Sequence, residues 1–420
     1  MRSKSKWLLG TVAGIALATS AVPAGAAGID QQNFEQVERG HYLAVVGDCA
    51  ACHTLPGSNH ALAGGRPIET PFGMLLAPNI TPDPQTGIGA WTDQEFVNAL
   101  TKGTGRHGKR LYPAMPYTYY TKLTRDDALA IRAYLTSIPA VHNPVKSNQL
   151  PFPFDMRWTL AVWDKLYFTP GTFHSDPKQS AQWNRGAYLV EGPGHCGMCH
   201  TPKNFLGADE ASQRFQGYAL QGWFAPNITD AARRGLGGWS VADVVEYLKT
   251  GHNKTSAATG LMSETLNLST SKMSDADLQA IAVYLKGPSG QQQTAAADPA
   301  DPPAQGVMKS GAQIYADECS ACHASDGKGA AGLFPSLSGS SVVQQTDPTS
   351  VLHVVLRGAL SVGTKPAPTA PAMPQFGWIL NDDQVAAVVT YIRNSWGNSA
   401  PPVSADNVGK TRRMLVERSD

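Results

Sequence analysis

Three stretches of the chain place apolar residues at helical spacing behind an acidic start. Asp126 to Leu135 reads DDALAIRAYL, Asp275 to Leu285 reads DADLQAIAVYL, and Asp382 to Ile392 reads DDQVAAVVTYI. Carboxylates at the front suit the positive end of a helix dipole. The spaced Ala, Leu, Ile and Val positions make one apolar face, so each stretch is predicted as an amphipathic helix. Upstream of each lies a second shared pattern: Arg39-Gly40-His41-Tyr42-Leu43, Arg185-Gly186-Ala187-Tyr188-Leu189 and Ser310-Gly311-Ala312-Gln313-Ile314-Tyr315. The chain therefore reads as three units, each opened and closed by a helix. The aromatics Tyr42, Tyr134, Tyr188 and Tyr284 are predicted as core contacts.

Two of the units match more closely. Ala77-Pro78-Asn79-Ile80-Thr81 is repeated as Ala225-Pro226-Asn227-Ile228-Thr229, and Gly87-Ile88-Gly89-Ala90-Trp91-Thr92 as Gly235-Leu236-Gly237-Gly238-Trp239-Ser240. The repeat offset is read as a steady 147 or 148 residues. Repetition at a fixed period marks repeated structural units. The first two read as close duplicates and the third as a shorter relative.

Composition adds limits. The chain has 420 residues, 42% of them hydrophobic, with 41 Gly and 30 Pro, enough for packed cores joined by long loops. Lys and Arg number 34 against 33 Asp and Glu, without a basic block of the kind that binds nucleic acid. Arg2, Lys4 and Lys6 precede the apolar run Trp7 to Ala18 and the small-residue site Ala24-Gly25-Ala26. This is the form of a secretory leader over residues 1–26, too short in its apolar run for a retained span. No later stretch is long and apolar enough to cross a bilayer, so export to the periplasm with at most peripheral membrane contact is expected.

Export favours disulfides, yet all six cysteines fall into another pattern. Cys49 and Cys52, Cys196 and Cys199, and Cys319 and Cys322 are each separated by two residues and followed at once by His53, His200 and His323. Cys-x-x-Cys-His is the attachment signal for c-type haem. Two thiols add to the haem vinyl groups, and the next residue brings an imidazole to one face of the iron. A thioredoxin-like site has no need of the His. Zinc would require two pairs brought together, and a disulfide inside Cys-x-x-Cys is strained. Three haem c groups are expected, with the six cysteines as attachment points and the three His as proximal ligands.

The pattern predicts an all-α protein of three tandem class I cytochrome c domains. The boundaries read as a leader at 1–26, domains at 29–140, 178–287 and 305–398, linkers at 141–177 and 288–304, and a tail at 399–420. An electron-transfer haem commonly takes Met as its second axial ligand. Met115 and Met262 both stand 62 residues after their proximal His, and Met373 stands 50 after His323. Each precedes its unit's last helix, in a predicted loop over the distal face. Met74 and Met273 fit worse, Met273 being matched to Asp126 or its neighbour. The free nitrogen of each ligating His should donate to a backbone carbonyl. Pro335 is placed to supply it in the third unit, whereas several prolines compete in the first two. His195, beside Cys196, reads as a loop or surface residue.

The linker LPFPFDMRWTLAVWDKLYF (150–168) is dense in aromatics. It reads as packing between neighbouring domains in preference to a partner surface. The segment 287–306 reads as flexible. The tail after Asn398, with Pro401-Pro402 and a mixed-charge end, reads as partner-wrapping or disordered.

With Gly47-Asp48-Cys49-Ala50-Ala51-Cys52-His53, Asn79-Ile80-Thr81-Pro82-Asp83, Tyr112-Pro113-Ala114-Met115-Pro116-Tyr117, Met156-Arg157-Trp158 and Gly192-Pro193-Gly194-His195-Cys196 in view, the chain resembles the triheme cytochrome c subunit of bacterial membrane-bound periplasmic dehydrogenases. Quinoprotein alcohol dehydrogenase and flavoprotein gluconate dehydrogenase are the best-known cases. The resemblance covers nearly the whole chain after the leader. It implies a catalytic partner carrying PQQ, FAD or a molybdenum cofactor, and ubiquinone or a terminal oxidase as acceptor. It also implies a seat on the outer face of the cytoplasmic membrane. The segment Ala231 to Trp239, with Lys249-Thr250-Gly251-His252-Asn253, is also similar to cytochromes paired with molybdenum hydroxylases of the aldehyde or nicotinate type. A multihaem peroxidase would need an open sixth site, against which three Met candidates argue. A free shuttle would lack a fixed partner.

Overall fold

A computed structural model describes residues 34–287 and 302–416. The leader assigned to 1–26 and most of the linker at 288–304 lie outside the described residues. Among the described residues the fold is all-α, with four two-stranded antiparallel pairs between helices. The longest strands have four residues, Pro67–Thr70 against Gly73–Leu76.

The predicted opening and closing helices form. In the first unit Phe34–Val46 crosses Arg125–Ser137, in the second Ala181–Glu191 crosses Asp275–Lys286, and in the third Gln305–Ile314 crosses Asp382–Arg393. The shared glycine explains how closely they cross. A Cβ on Gly40 would overlap the carbonyl of Ala130. One on Gly186 would overlap that of Ala280, and one on Gly311 that of Ala387. Only hydrogen fits there, so this position cannot take a side chain in any unit.

Local chemistry sets the helix ends. Thr92 and Ser240 start the middle helices Asp93–Lys102 and Val241–Thr250 with reciprocal capping boxes to Glu95 and Asp243. Gly103 (φ 61°) and Gly251 (φ 90°) stop them in the left-handed region. Thr124 and Ser274 cap the closing helices through the N–H of Asp127 and Asp277. Asn381 does the same in the third unit, in a box with Gln384. Each cap of this kind contributes about 1 kcal/mol.

Three apolar cores sit behind these crossings. Leu43, Phe96, Leu123 and Leu135 fill the first, Leu189, Phe215, Leu266 and Leu278 are buried in the second unit, and Leu352, Val385, Val389 and Val408 fill the third. The cores do not respect the unit boundaries. Tyr188 of the second opening helix belongs to the first core, and Val46 of the first opening helix to the second.

The structure corrects several readings. The offset is not steady: matched positions are 146 apart at Gly40 and Gly186, 148 at Thr92 and Ser240, and 150 at the caps Thr124 and Ser274. Met273 is therefore the counterpart of Leu123 rather than of Asp126, and both are buried core residues. Half of the difference arises before Ser240 and half after Gly251. There the second unit has a small hairpin (His252–Asn253 with Ser256–Ala257) and the helix Gly260–Leu268, which places Met262 in a helix rather than a loop. Met373 lies in a short strand, Ala372–Met373, paired with Ala359–Leu360.

The tail is neither loose nor partner-wrapping over 405–416. Ala405–Val416 is a helix whose Val408 and Leu415 are buried in the third core. Arg412 donates to the carboxylate of Asp382 (2.9 Å) and to the Leu380 carbonyl (2.9 Å). The aromatic linker also contains a helix, Thr159–Tyr167. Leu160 is buried, Asp164 accepts from Tyr117 and Arg110 (2.6 Å each), and Trp163 Nε1 donates to Leu206 of the second unit (2.9 Å). One side thus packs between units as predicted, while the opposite side faces outward.

Candidate haem sites

Each Cys-x-x-Cys-His forms a short helical turn following its opening helix: Cys49–His53, Gly197–His200 and Ser320–His323. All six cysteines are free, so no disulfide closes the pairs. Burial pushes the thiols of Cys49 and Cys196 up to about 12 and those of Cys52 and Cys319 up to about 11. Among the described residues, no cluster of three or more His, Cys, Asp or Glu side chains is arranged to hold a metal ion.

The imidazoles share one geometry. His53 Nδ1 lies 2.7 Å from the Pro78 carbonyl, His200 Nδ1 2.7 Å from that of Pro226, and His323 Nδ1 3.2 Å from that of Pro335. A carbonyl only accepts, so Nδ1 carries the proton and Nε2 is left with its lone pair. Burial lowers the pKa of all three rings, with the proline carbonyl acting weakly in the opposite direction. A neutral imidazole in a fixed tautomer beside two free thiols is the donor set that a covalently attached haem requires. The residues present fit that group. The prolines left undecided for the first two units are Pro78 and Pro226, which stand in the repeated Ala-Pro-Asn-Ile-Thr.

Met115 and Cys49 both pack on the first core, and Met373 and Cys319 on the third. Met262 is partly buried and is not among the side chains of the second core; its helix lies against the Cys49–His53 turn of the first unit as well as against Val241–Thr250 and Trp223–Ala225 of its own. Glu264 of that helix pairs with Arg66, and Thr265 reaches Asp48.

Asp48 was not singled out by sequence. Its Oδ1 is buried without a hydrogen-bond partner, and burial pushes its carboxyl up to about 7. Asp48 and His195 each stand directly before their Cys-x-x-Cys with positive φ (48° and 35°). His195 lies in the loop before its motif, as expected, and is partly buried there against the first unit. Its Nε2 lies 3.2 Å from the Gly47 carbonyl, and its ring meets Tyr120 edge-on at 5.5 Å. The two motifs therefore abut.

Tyr42 and Tyr188 do more than fill cores. Tyr42 OH donates to Asp277 of the second unit (2.7 Å), while Tyr188 OH donates to Asp127 of the first. Each aspartate also holds its own unit's arginine, Arg185 to Asp277 (2.8 and 2.7 Å) and Arg39 to Asp127 (2.6 Å). The third unit meets the second differently. The His353 ring stacks on Trp223 (3.7 Å between centroids, 19° between planes), Ser350 bridges Phe224, and Gln345 donates to the Arg234 carbonyl at 2.5 Å.

Comparison with known proteins follows this architecture. Residues 37–139 and 308–396 match the Cytochrome c family. The gluconate 2-dehydrogenase cytochrome c subunit of Pantoea cypripedii is 40% identical over 98% of this chain and 95% of its own length. The alcohol dehydrogenase (quinone) cytochrome c subunit of Gluconobacter oxydans is 39% identical over 97% and 88%. A nicotinate dehydrogenase subunit of Pseudomonas putida is 37% identical over 95% of this chain but only 34% of its own length. With six cysteines compatible with multiple covalent haem attachments, at least two cytochrome c domains, and matches that span nearly its full length, this chain belongs to the family of cytochrome c subunits of quinone-type alcohol and gluconate dehydrogenases.

Proposed function

We propose that the chain is a three-haem electron-transfer subunit. It takes electrons from a periplasmic dehydrogenase acting on an alcohol or sugar acid and passes them toward ubiquinone or a terminal oxidase. It works on the outer face of the cytoplasmic membrane, and substrate oxidation belongs to a partner with its own cofactor. The observation that carries this reading is the threefold recurrence of one donor set: two free thiols, and an imidazole whose Nδ1 is tied to a proline carbonyl.

Bound haem supplies reversible one-electron chemistry. The chain supplies the rest. Cys49 and Cys52, Cys196 and Cys199, and Cys319 and Cys322 provide the thioether positions. His53, His200 and His323 provide Nε2 to one face, held in orientation by Pro78, Pro226 and Pro335. Met115, Met262 and Met373 are the proposed ligands on the other face. The first two units are read as duplicates and the third as a shorter relative of the same domain.

Mass and pyridine haemochrome content of the exported chain test the count, with three haems expected and one or two rejecting it. Met262→Leu should remove a Met–iron absorption band and lower one midpoint potential, and an unchanged spectrum rejects that ligand. Purification from native membranes should bring down a large catalytic subunit. The nicotinate dehydrogenase likeness supports a second reading, in which that subunit carries a molybdenum cofactor; its cofactor content decides between the two.

A further inference from the structure

We propose that the outer face of the helix Thr159–Tyr167, with Phe152 and Phe154 beside it, is the surface by which this chain lies on a lipid bilayer rich in anionic headgroups. The inference rests on the reading of the chain as a subunit working at a membrane, and it names the residues that make the contact.

Trp158, Val162 and Leu166 recur every four residues and so lie on one side of the helix. They are 67%, 53% and 63% exposed. The other side is occupied by buried Leu160 and by Asp164, held between Tyr117 and Arg110. The helix is thus fixed to the body of the protein with an apolar stripe turned outward. Phe152 is 77% exposed, and Phe154 continues the patch to the Phe72 ring (4.9 Å). Phe72 in turn lies against Gly207 of the second unit, two residues from exposed Phe205. The patch therefore spans the first two units, and apolar surface of this extent marks an interaction site.

The charge around it selects the occupant. Arg157 lies over the Tyr112 ring (4.6 Å) and Lys165 projects from the last turn. Lys109 is close enough to Arg157 that burial and that neighbouring charge together lower its pKa. Asp155 is the exposed acid among them, while Asp164 is already paired. An aromatic and aliphatic stripe rimmed by Lys and Arg is the composition of an interfacial helix. Its rings sit at the headgroup boundary and its cations meet anionic lipid. No helix among the described residues is long and apolar enough to cross a membrane. The terminal helix Ala405–Val416 has turned Val408 and Leu415 into the third core.

The test is co-sedimentation of the full haem-loaded chain with phosphatidylethanolamine–phosphatidylglycerol vesicles and with neutral phosphatidylcholine vesicles. The triple variant Trp158→Ser, Val162→Ser, Leu166→Ser should lower the partition constant at least about tenfold. Lys109→Glu with Lys165→Glu should remove the preference for anionic vesicles. Trp158→Phe should retain binding. Haem absorption bands identical to wild type exclude misfolding as the cause. The proposal is overturned if the triple variant sediments like wild type. It is also overturned if the triple variant keeps vesicle binding while losing co-purification with the catalytic subunit, because the face then docks a protein. Electron uptake by the wild-type chain from that subunit is scored separately. Its absence would reject the functional reading, whereas normal uptake with unchanged vesicle binding by the triple variant would reject this surface alone.

Discussion

The two seams of the molecule are built on different principles. Between the first and second units, matched residues exchange across the boundary: Tyr42 reaches Asp277 and Tyr188 reaches Asp127, each aspartate already held by its own arginine. This is the form of a two-fold dimer interface, in which one patch meets its own counterpart. Here it is made within a single chain. The seam between the second and third units has no such reciprocity. It rests on a ring stack, a serine bridge and amide hydrogen bonds, Gln345 to Arg234 among them. An exchange seam needs two units with the same residues at the same places, and a third unit with different flanks can only be added from outside. The first seam is also the one that brings two Cys-x-x-Cys motifs together, through His195 and Gly47. Its carboxylates hold the two motifs in register.

The largest way to break this contrast is Asp277→Ala. Arg185 and Tyr42 would lose their shared acceptor at a largely buried site, at a cost of about 2–4 kcal/mol. Urea unfolding of the haem-loaded chain measures it. Tyr42→Phe and Tyr188→Phe come next, at about 1–2 kcal/mol each. Their effects should agree within about 0.5 kcal/mol if the exchange is symmetric, and a larger gap breaks the reciprocity.

Acid gives a third test. Burial alone would raise the Asp277 pKa, but hydrogen bonds from Arg185 and Tyr42, with the Arg185 charge, take it below its ordinary 3.8. A carboxylate depressed on folding stabilises the fold above its unfolded pKa, and that stability is lost as pH falls through the folded value. The wild-type melting temperature should therefore drop below about pH 4 by more than that of Asp277→Ala.

Much of each unit was legible because its constraints are local. Haem attachment fixes Cys, Cys and His within five residues. A helix crossing fixes a glycine, and an N-cap fixes Thr, Ser or Asn before an acidic turn. Pro78 and Pro226 were legible in principle, since both stand in the one Pro-containing motif repeated after the Cys pairs, 25 and 26 residues beyond the His they serve. The exchange seam was not legible. Helical periodicity tells which face of Phe34–Val46 is buried, but not that Tyr42 is buried against another unit's helix. The tail failed for a related reason. Ala405–Val416 mixes apolar residues with Asp406, Lys410, Arg412 and Arg413, and Val408 and Leu415 are buried because the third core offers them a place. Met262 was proposed from its spacing to His200, and its helix falls after Gly251, where the match between units lapses.

The smallest predicted effect probes the second seam. The Ser350 hydroxyl accepts from the Phe224 N–H (2.8 Å) and donates to the Phe224 carbonyl (3.0 Å), on the outward edge of the hairpin strand Trp223–Ala225. Ser350→Ala removes both bonds but leaves neutral groups at a half-buried edge that water can reach, so the expected cost is about 1 kcal/mol. Neither bond involves an ionisable group, so the loss should stay constant between about pH 3 and pH 6, including below about pH 4, where Asp277 makes the first seam acid-sensitive. Combined with Asp277→Ala, the two costs should add within about 0.5 kcal/mol, because the sites share no partner. A coupling well beyond that would mean that the third unit senses the state of the exchange seam, and the picture of an internal pair with an independent addition would fail.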